Sequence, residues 1–248
     1  MVKTLYLDCS ISGISGDMTL GALVDLGADL NDIEAQLKSF PLEPFQLKME
    51  GVVKKGIYSQ KLHVIQDPDH APVHHRHYAE INQMIADSHL TEQAKKRALA
   101  IFESIAHAEA KIHHVPVDKV HFHEVGAVDS IIDIVGVAIA LDQLEVEWVL
   151  ASPVVVGSGM VHIDHGKYPV PAPATLELLK GIPIRQSAVE GELTTPTGAG
   201  ILKGVVHQFG PLPSMTVEKV GYGAGTQDFD EHPNVLRAVL GEPASMQD

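Results

Sequence analysis

Cysteine occurs once in 248 residues, at Cys9, so the chain can form no internal disulfide and no site of several thiolates. Basic residues are scarce too: 18 Lys and Arg stand against 32 Asp and Glu, a formal net charge of −14. That balance excludes a sequence-independent grip on nucleic acid or anionic lipid, both of which need basic surface. No apolar run approaches the roughly 20 residues of a membrane span. The opening Met1–Asp8 carries a single Lys and an apolar stretch broken by Asp8, which is no secretory signal, so a cytoplasmic protein is expected. Gly-x-Ser-x-Gly, the Gly-Lys-Ser/Thr ending of a Walker loop and G-x-G-x-x-G are all missing.

Histidine is abundant, 15 residues in a chain that is also acidic. Imidazole with carboxylate is a ligand set for divalent transition ions, and with one thiol available any metal chemistry must use nitrogen and oxygen.

Periodicity predicts a mixed α/β (α+β) fold with strands and helices alternating. Residues 1–65 read as an N-terminal α/β portion: strand Thr4–Asp8, a Gly/Ser loop, a helix from Asp17 ended by Gly27, a short helix capped by Asn31, then strands Phe45–Val53 and Tyr58–Ile65. Residues 66–77, with His70, His74, His75, His77 and two prolines, read as an exposed mobile loop. Residues 78–248 read as a helical hairpin whose second helix Thr91 caps, followed by a mixed α/β portion, forming one integrated domain with 1–65. Within it, helix Asp129–Leu144 precedes a strand Val146–Val156. Two helices start on proline, at Pro173 and at Pro196 behind a Thr195 cap, and strands Met215–Val220 and Val235–Leu240 close the chain.

Four constellations can carry chemistry. In an extended His121-Phe122-His123-Glu124, the two imidazoles point to one side, and Asp129 and Asp133 share a face of the next helix. Together they suit nickel, zinc or manganese, against the plainer reading of a helix cap and hydrogen-bonded histidines. His162 and His165 flank a turn and are equally consistent with a metal pair or solvated rings. Glu103, His107, Glu109, His113 and His114 form a helix stripe that reads first as surface i,i+4 pairs. Anion binding is expected at two helix starts, from Ser12, Gly13, Ser15, Gly16 and Asp17 and from Thr195 and Thr197. Cys9 reads as a small buried hydrophobe.

Five motifs in order, Gly13-Ile14-Ser15-Gly16-Asp17-Met18 after Asp8, His74-His75-Arg76-His77, Val120 to Ile131, Pro169 to Thr175 and Gly191 to Gly198, resemble the LarC family. Its members are nickel insertion enzymes for the nickel-pincer nucleotide cofactor of lactate racemase. The resemblance implies a CTP-dependent cyclometallase of the lyase class acting on pyridinium-3,5-bisthiocarboxylic acid mononucleotide. Two sulfurs take up nickel and a carbon–nickel bond replaces the ring C–H. Catalytic work is expected of His121, His123, Glu124 and Asp129. Nickel binding is expected among His121, His123, Asp129, Asp133, His162, His165, His74, His75 and His77. Full-length members continue into a C-terminal portion that binds the metal–CTP complex and that this sequence lacks. The expected partners are therefore that portion as a separate chain, the lactate racemase apoprotein and a second copy of the chain. The competing reading is a non-catalytic module that carries nickel through the loop histidines; a metal-dependent hydrolase ranks last.

Overall fold

The computed structural model describes residues 2–70, 75–123, 125–163 and 166–244. Strand β1 (Thr4–Asp8) leads through a tight Ser/Gly loop into α1 (Gly16–Asp25) and α2 (Leu30–Leu37). Strands β2 (Phe45–Lys54) and β3 (Ile57–Gln66) form a hairpin, with Lys55 and Gly56 both at positive φ, the demand of a two-residue turn between right-twisted strands. Then come β4 (Arg76–His77), α3 (Tyr78–Ala86), α4 (Glu92–His113), β5 (His121–Phe122) and α5 (Val128–Gln143). The chain continues through β6 (Trp148–Ala151), β7 (Val154–Ser158), β8 (Met160–Ile163), β9 (Gly166–Pro169) and α6 (Pro173–Leu178). It closes with β10 (Ile184–Glu190), α7 (Pro196–Val205), β11 (Gln208–Phe209), β12 (Met215–Ala224) and β13 (Val235–Pro243). The mixed α/β class holds, and among the described residues no helix is long and apolar enough to cross a membrane.

Seven strands make one sheet in the order β11-β6-β1-β13-β12-β3-β2. β1 lies between β6, to which it runs parallel, and β13, to which it runs antiparallel, so the two ends of the described chain meet in the middle of the sheet. Helix α5 is apolar almost all round and buried, from Ile131 and Ile132 through Leu141, and it packs on α1, α2 and α4. Helix α1 lies directly on β3 and β12. At Gly223 a Cβ would come 1.8 Å from the Met18 carbonyl oxygen, so only glycine lets the helix approach this closely.

Three expectations need correction. Asp29, not Asn31, caps α2, its Oδ1 accepting the N–H of Asn31 at 2.9 Å and of Asp32 at 3.2 Å. The strand expected over Val146–Val156 is broken at Ser152–Pro153. Proline cannot donate to the ladder, and the two pieces join different sheets, β6 beside β1 and β7 beside β10. Residues 66–77 are not loop throughout, because Arg76–His77 pairs antiparallel with His121–Phe122.

Candidate active site

The ribbon of β4 and β5 puts histidines on one face. His77 lies opposite His121 in register, and their rings stack at 4.5 Å between centres. His75 stands 5.5 Å from His121 and 5.2 Å from His123, and the last two are 5.5 Å apart. The intervening Phe122 is buried against Phe102 and Tyr78, so the alternation of a strand holds both imidazoles outward. His113, the last residue of α4, closes the face with its ring 5.9 Å from His123 and its Nε2 3.2 Å from a Glu109 carboxylate oxygen. Arg76 anchors the ribbon from beneath: buried itself, it donates to the Gly126 carbonyl at 2.7 Å and pairs with the half-buried Glu43. Burial, followed by the neighbouring His77 and His75, lowers the pKa of His121, which favours the neutral imidazole that binds metal. Among the described residues no three donor groups converge on a single point.

A recess of about 530 Å³ opens nearby, where the first turns of α1, α5 and α7 all reach the wall, at Gly16, Asp129 and Thr197. Two loops are tied together to achieve this. Ile14 N–H donates to the Leu193 carbonyl and Thr195 N–H to the Ile14 carbonyl, both at 3.1 Å, and Gly13 and Gly198 let the backbones touch. Lys61, from β3, is buried in the wall, bonded to Asp17 and, at 2.8 Å, to Thr226 Oγ1. Ser15 caps α1 and bonds the other oxygen of Asp17, while Thr195 caps α7. Asp133 lines the recess with Oδ2 over Gly16, where a Cβ would meet it at 2.7 Å, and with Oδ1 enclosed and without a hydrogen-bond partner. Burial above all, then the charges of Asp17 and Asp129, pushes this carboxyl well above the usual range, with Lys61 opposing.

Between histidine face and recess lies an apolar cleft of about 340 Å³, lined by Glu109, Ile112, His113, His123, Tyr168 and Pro173 among others. It shares His123 with the histidine face and Pro196 with the recess, so the three form a continuous surface.

The structure thus divides the expected donors. His75, His77, His121 and His123 stand together, whereas Asp129 and Asp133 line the recess, where the Lys61 ammonium already supplies the cation. His162 sits on β8 in a further hollow with Met160, Glu192 and Gln227, which shares Ser15, Asp17 and Thr195 with the recess. His74, Glu124 and His165 lie outside the described residues. Ser15, Gly16, Asp17, Thr195 and Thr197 reach the recess. Ser12 and Gly13 do not offer donors to a ligand: Ser12 is fully buried with its hydroxyl on Asn234 Oδ1 at 3.0 Å, and Gly13 N–H is spent on the Cys9 carbonyl at 3.2 Å. Their role is to bring the two loops together. Sequence reasoning missed Lys61 and Arg76 and read His113 as surface. Alternation along β3 could have marked Lys61, a charge on the inward face of a strand, but its partner Asp17 is 44 residues away.

The family model described as "Nickel insertion protein" matches residues 5–248. A Geobacillus kaustophilus protein called "Pyridinium-3,5-bisthiocarboxylic acid mononucleotide nickel insertion protein" is 53% identical over 97% of this chain and 60% of its own length. Proteins with the same description are 53% identical in Staphylococcus epidermidis, over 96% of this chain and 59% of theirs, and 50% identical in Desulfitobacterium hafniense, over 98% and 59%. The chain spans about 60% of the length of these curated relatives. No solved structure matches it.

Proposed function

The chain belongs to the nickel insertion protein family, and from that premise we propose that it supplies the nickel-holding and substrate-seating part of insertion into pyridinium-3,5-bisthiocarboxylic acid mononucleotide. The observation that carries the reading is the triangle of His75, His121 and His123, with sides of 5.5, 5.2 and 5.5 Å between ring centres. An ion held by two imidazoles at about 2.1 Å separates their ring centres by roughly 4.6 to 5.3 Å, for ligand angles from square to tetrahedral. The His75–His123 side falls inside that span and the other two sides lie just beyond it, and the steep angles between the rings, 75° and 77° from His75, leave side-chain rotation as the step that brings the nitrogens inward. Such a site holds nickel in exchangeable form. The ion passes from imidazole nitrogen to the softer sulfurs of the substrate, which bind it more tightly.

The substrate's three parts match the three parts of the surface. Its pyridinium ring fits the apolar cleft, where Tyr168 gives a ring face and Glu109 a carboxylate, and where His123 brings the nickel alongside. Its phosphate fits the recess, with three helix N-termini, Lys61 and the Thr197 hydroxyl. Replacement of ring C–H by C–Ni leaves the electron pair with carbon and releases one proton. Accepting that proton is the role expected of Glu124 or Asp129. In this reading CTP is bound by the further length that the relatives possess, so the reaction is a CTP-dependent, lyase-class cyclometallation completed by a second polypeptide segment, and the product serves lactate racemase.

The test is nickel binding by calorimetry with K-edge X-ray absorption, on the native chain and on the H121A/H123A double variant. Nitrogen-rich coordination is expected in the native chain. Since loss of even an outer-shell partner costs about 10- to 100-fold in metal affinity, removal of two ligands should cost at least as much. Unchanged affinity in the double variant refutes the assignment. Formation of the nickel adduct from the thiolated nucleotide and CTP, with the remaining segment supplied as a separate chain, then tests the reaction.

A further inference from the structure

The recess poses a problem of charge. Asp17, Asp129, Asp133 and Glu192 line it, with Lys61 as the buried cation, already paired to Asp17. Three helix ends contribute about half a positive charge each. If all four carboxyls were ionised, a phosphate monoester, which carries close to two negative charges at neutral pH, would be repelled. One carboxyl differs from the rest. Asp17 holds Lys61 and Ser15, and Asp129 accepts the N–H of Ser130 at 2.9 Å at the start of α5. Asp133 sits one turn deeper, with Oδ1 enclosed and bonded to nothing while its side chain still reaches the recess. An ionised carboxylate so placed has no donor to stabilise it, whereas a neutral acid has one O–H to give and needs a ligand to receive it.

We propose that Asp133 is part of the phosphate seat as a neutral acid, donating its O–H to a phosphate monoester dianion held over the starts of α1, α5 and α7. This rests on the phosphate occupying the recess, as argued above, and goes beyond it by assigning the group that makes an acid-lined hollow accept an anion. At a pH where the free carboxyl is ionised, each anion bound draws one proton from solvent onto Asp133. The upward push on this carboxyl from burial, Asp17 and Asp129 is in the direction the role requires. The groups facing it are Asp17 from α1, Asp129 from its own helix, Lys61 and His63 from β3 and Glu192 from the segment before α7.

Sulfate and ribose 5-phosphate are the probes, titrated calorimetrically from pH 6 to 9 in pairs of buffers with different ionisation heats. Sulfate has no proton to exchange in this range, so any uptake belongs to the protein. The expected result is binding that weakens about tenfold per pH unit above the Asp133 pKa, with uptake rising towards one proton per anion. D133N, which keeps an N–H donor, should bind both probes with uptake abolished and the pH slope flattened. Thermal unfolding of D133N checks that it folds, and the uptake measured on the native chain stands without it. Binding that takes up no proton even where the Asp133 carboxyl of the free chain is ionised, as followed by its 13C shift, refutes the neutral acid and leaves the seat intact. Uptake that persists in D133N refutes it too and points to another group facing the recess. Failure of both anions to bind removes the seat, and this inference with it.

Discussion

Gly198→Ala tests whether the two helix starts are held together as described. A Cβ at Gly198 would lie 2.1 Å from the Ile14 carbonyl oxygen, 2.6 Å from its carbon and 3.0 Å from the Ser15 nitrogen. All three are backbone atoms, so no side chain can rotate away and the loops must part. Parting them breaks the bonds from Ile14 N–H to Leu193 and from Thr195 N–H to Ile14. At about 1 kcal/mol per hydrogen bond, with about 1–3 kcal/mol for the overpacked contact, the loss is about 3–5 kcal/mol. For a domain of this size that lowers Tm by roughly 6–20 °C. Gly210→Ala is the control, since a Cβ there meets nothing within 4 Å and its φ lies outside the positive range. Differential scanning calorimetry compares the two variants with the native chain. Anion titration of Gly198→Ala then asks whether separating α1 and α7 weakens the recess. A Tm within 1–2 °C of the native value would mean that the contact yields at negligible cost, and the argument for a tied pair of loops would fail.

Arg76→Met should cost about 2–4 kcal/mol, because the half-buried Glu43 carboxylate and the Gly126 carbonyl each lose a hydrogen bond from a charged donor. Urea denaturation measures it, and weakened nickel binding should accompany it through the β4–β5 ribbon. In D133N a stability cost of the native chain should vanish. The Asp133 pKa is raised in the folded state, so the native state binds more protons than the unfolded one between the ordinary Asp value and the raised one, and native stability falls as pH rises through that window. Unfolding free energies of native and D133N chains from pH 4 to 9 should therefore diverge with increasing pH; parallel curves would contradict the shift. Cys9 is fully buried and its thiol is pushed far up by burial, so maleimide should not label it until the chain unfolds. Labelling of the native chain at the rate of a free thiol would overturn that.

Much of the fold is legible from local rules. Thr91 and Thr195 cap the helices they were expected to cap, with the Ala94 N–H and the Gly198 N–H each 3.1 Å from the hydroxyl, because capping uses atoms only three residues apart. The outward pairing of His121 and His123 follows from strand alternation alone. Errors arose where a neighbour distant in sequence decided the outcome. Residues 76–77 look like loop until Phe122 and His121 supply their ladder partners. Ser12 and Gly13 look like anion donors until Asn234 and the backbone carbonyls of Cys9 and Leu193 claim their positions.

By itself the sequence determined the chemistry on offer: imidazole and carboxylate in place of thiolate, an acidic surface, capped helix starts and motifs that name a family. These are properties of residue types and short spacings, which need no third dimension. Only the tertiary structure decided the sorting of those groups. It gathered His75, from before the helical hairpin, with His121 and His123, from after it, and gave Asp129 and Asp133 to Lys61 rather than to the histidines. The reason is that ligand sets and pKa values depend on through-space distance and burial, and both are fixed by how α1, α5 and α7 meet at one recess.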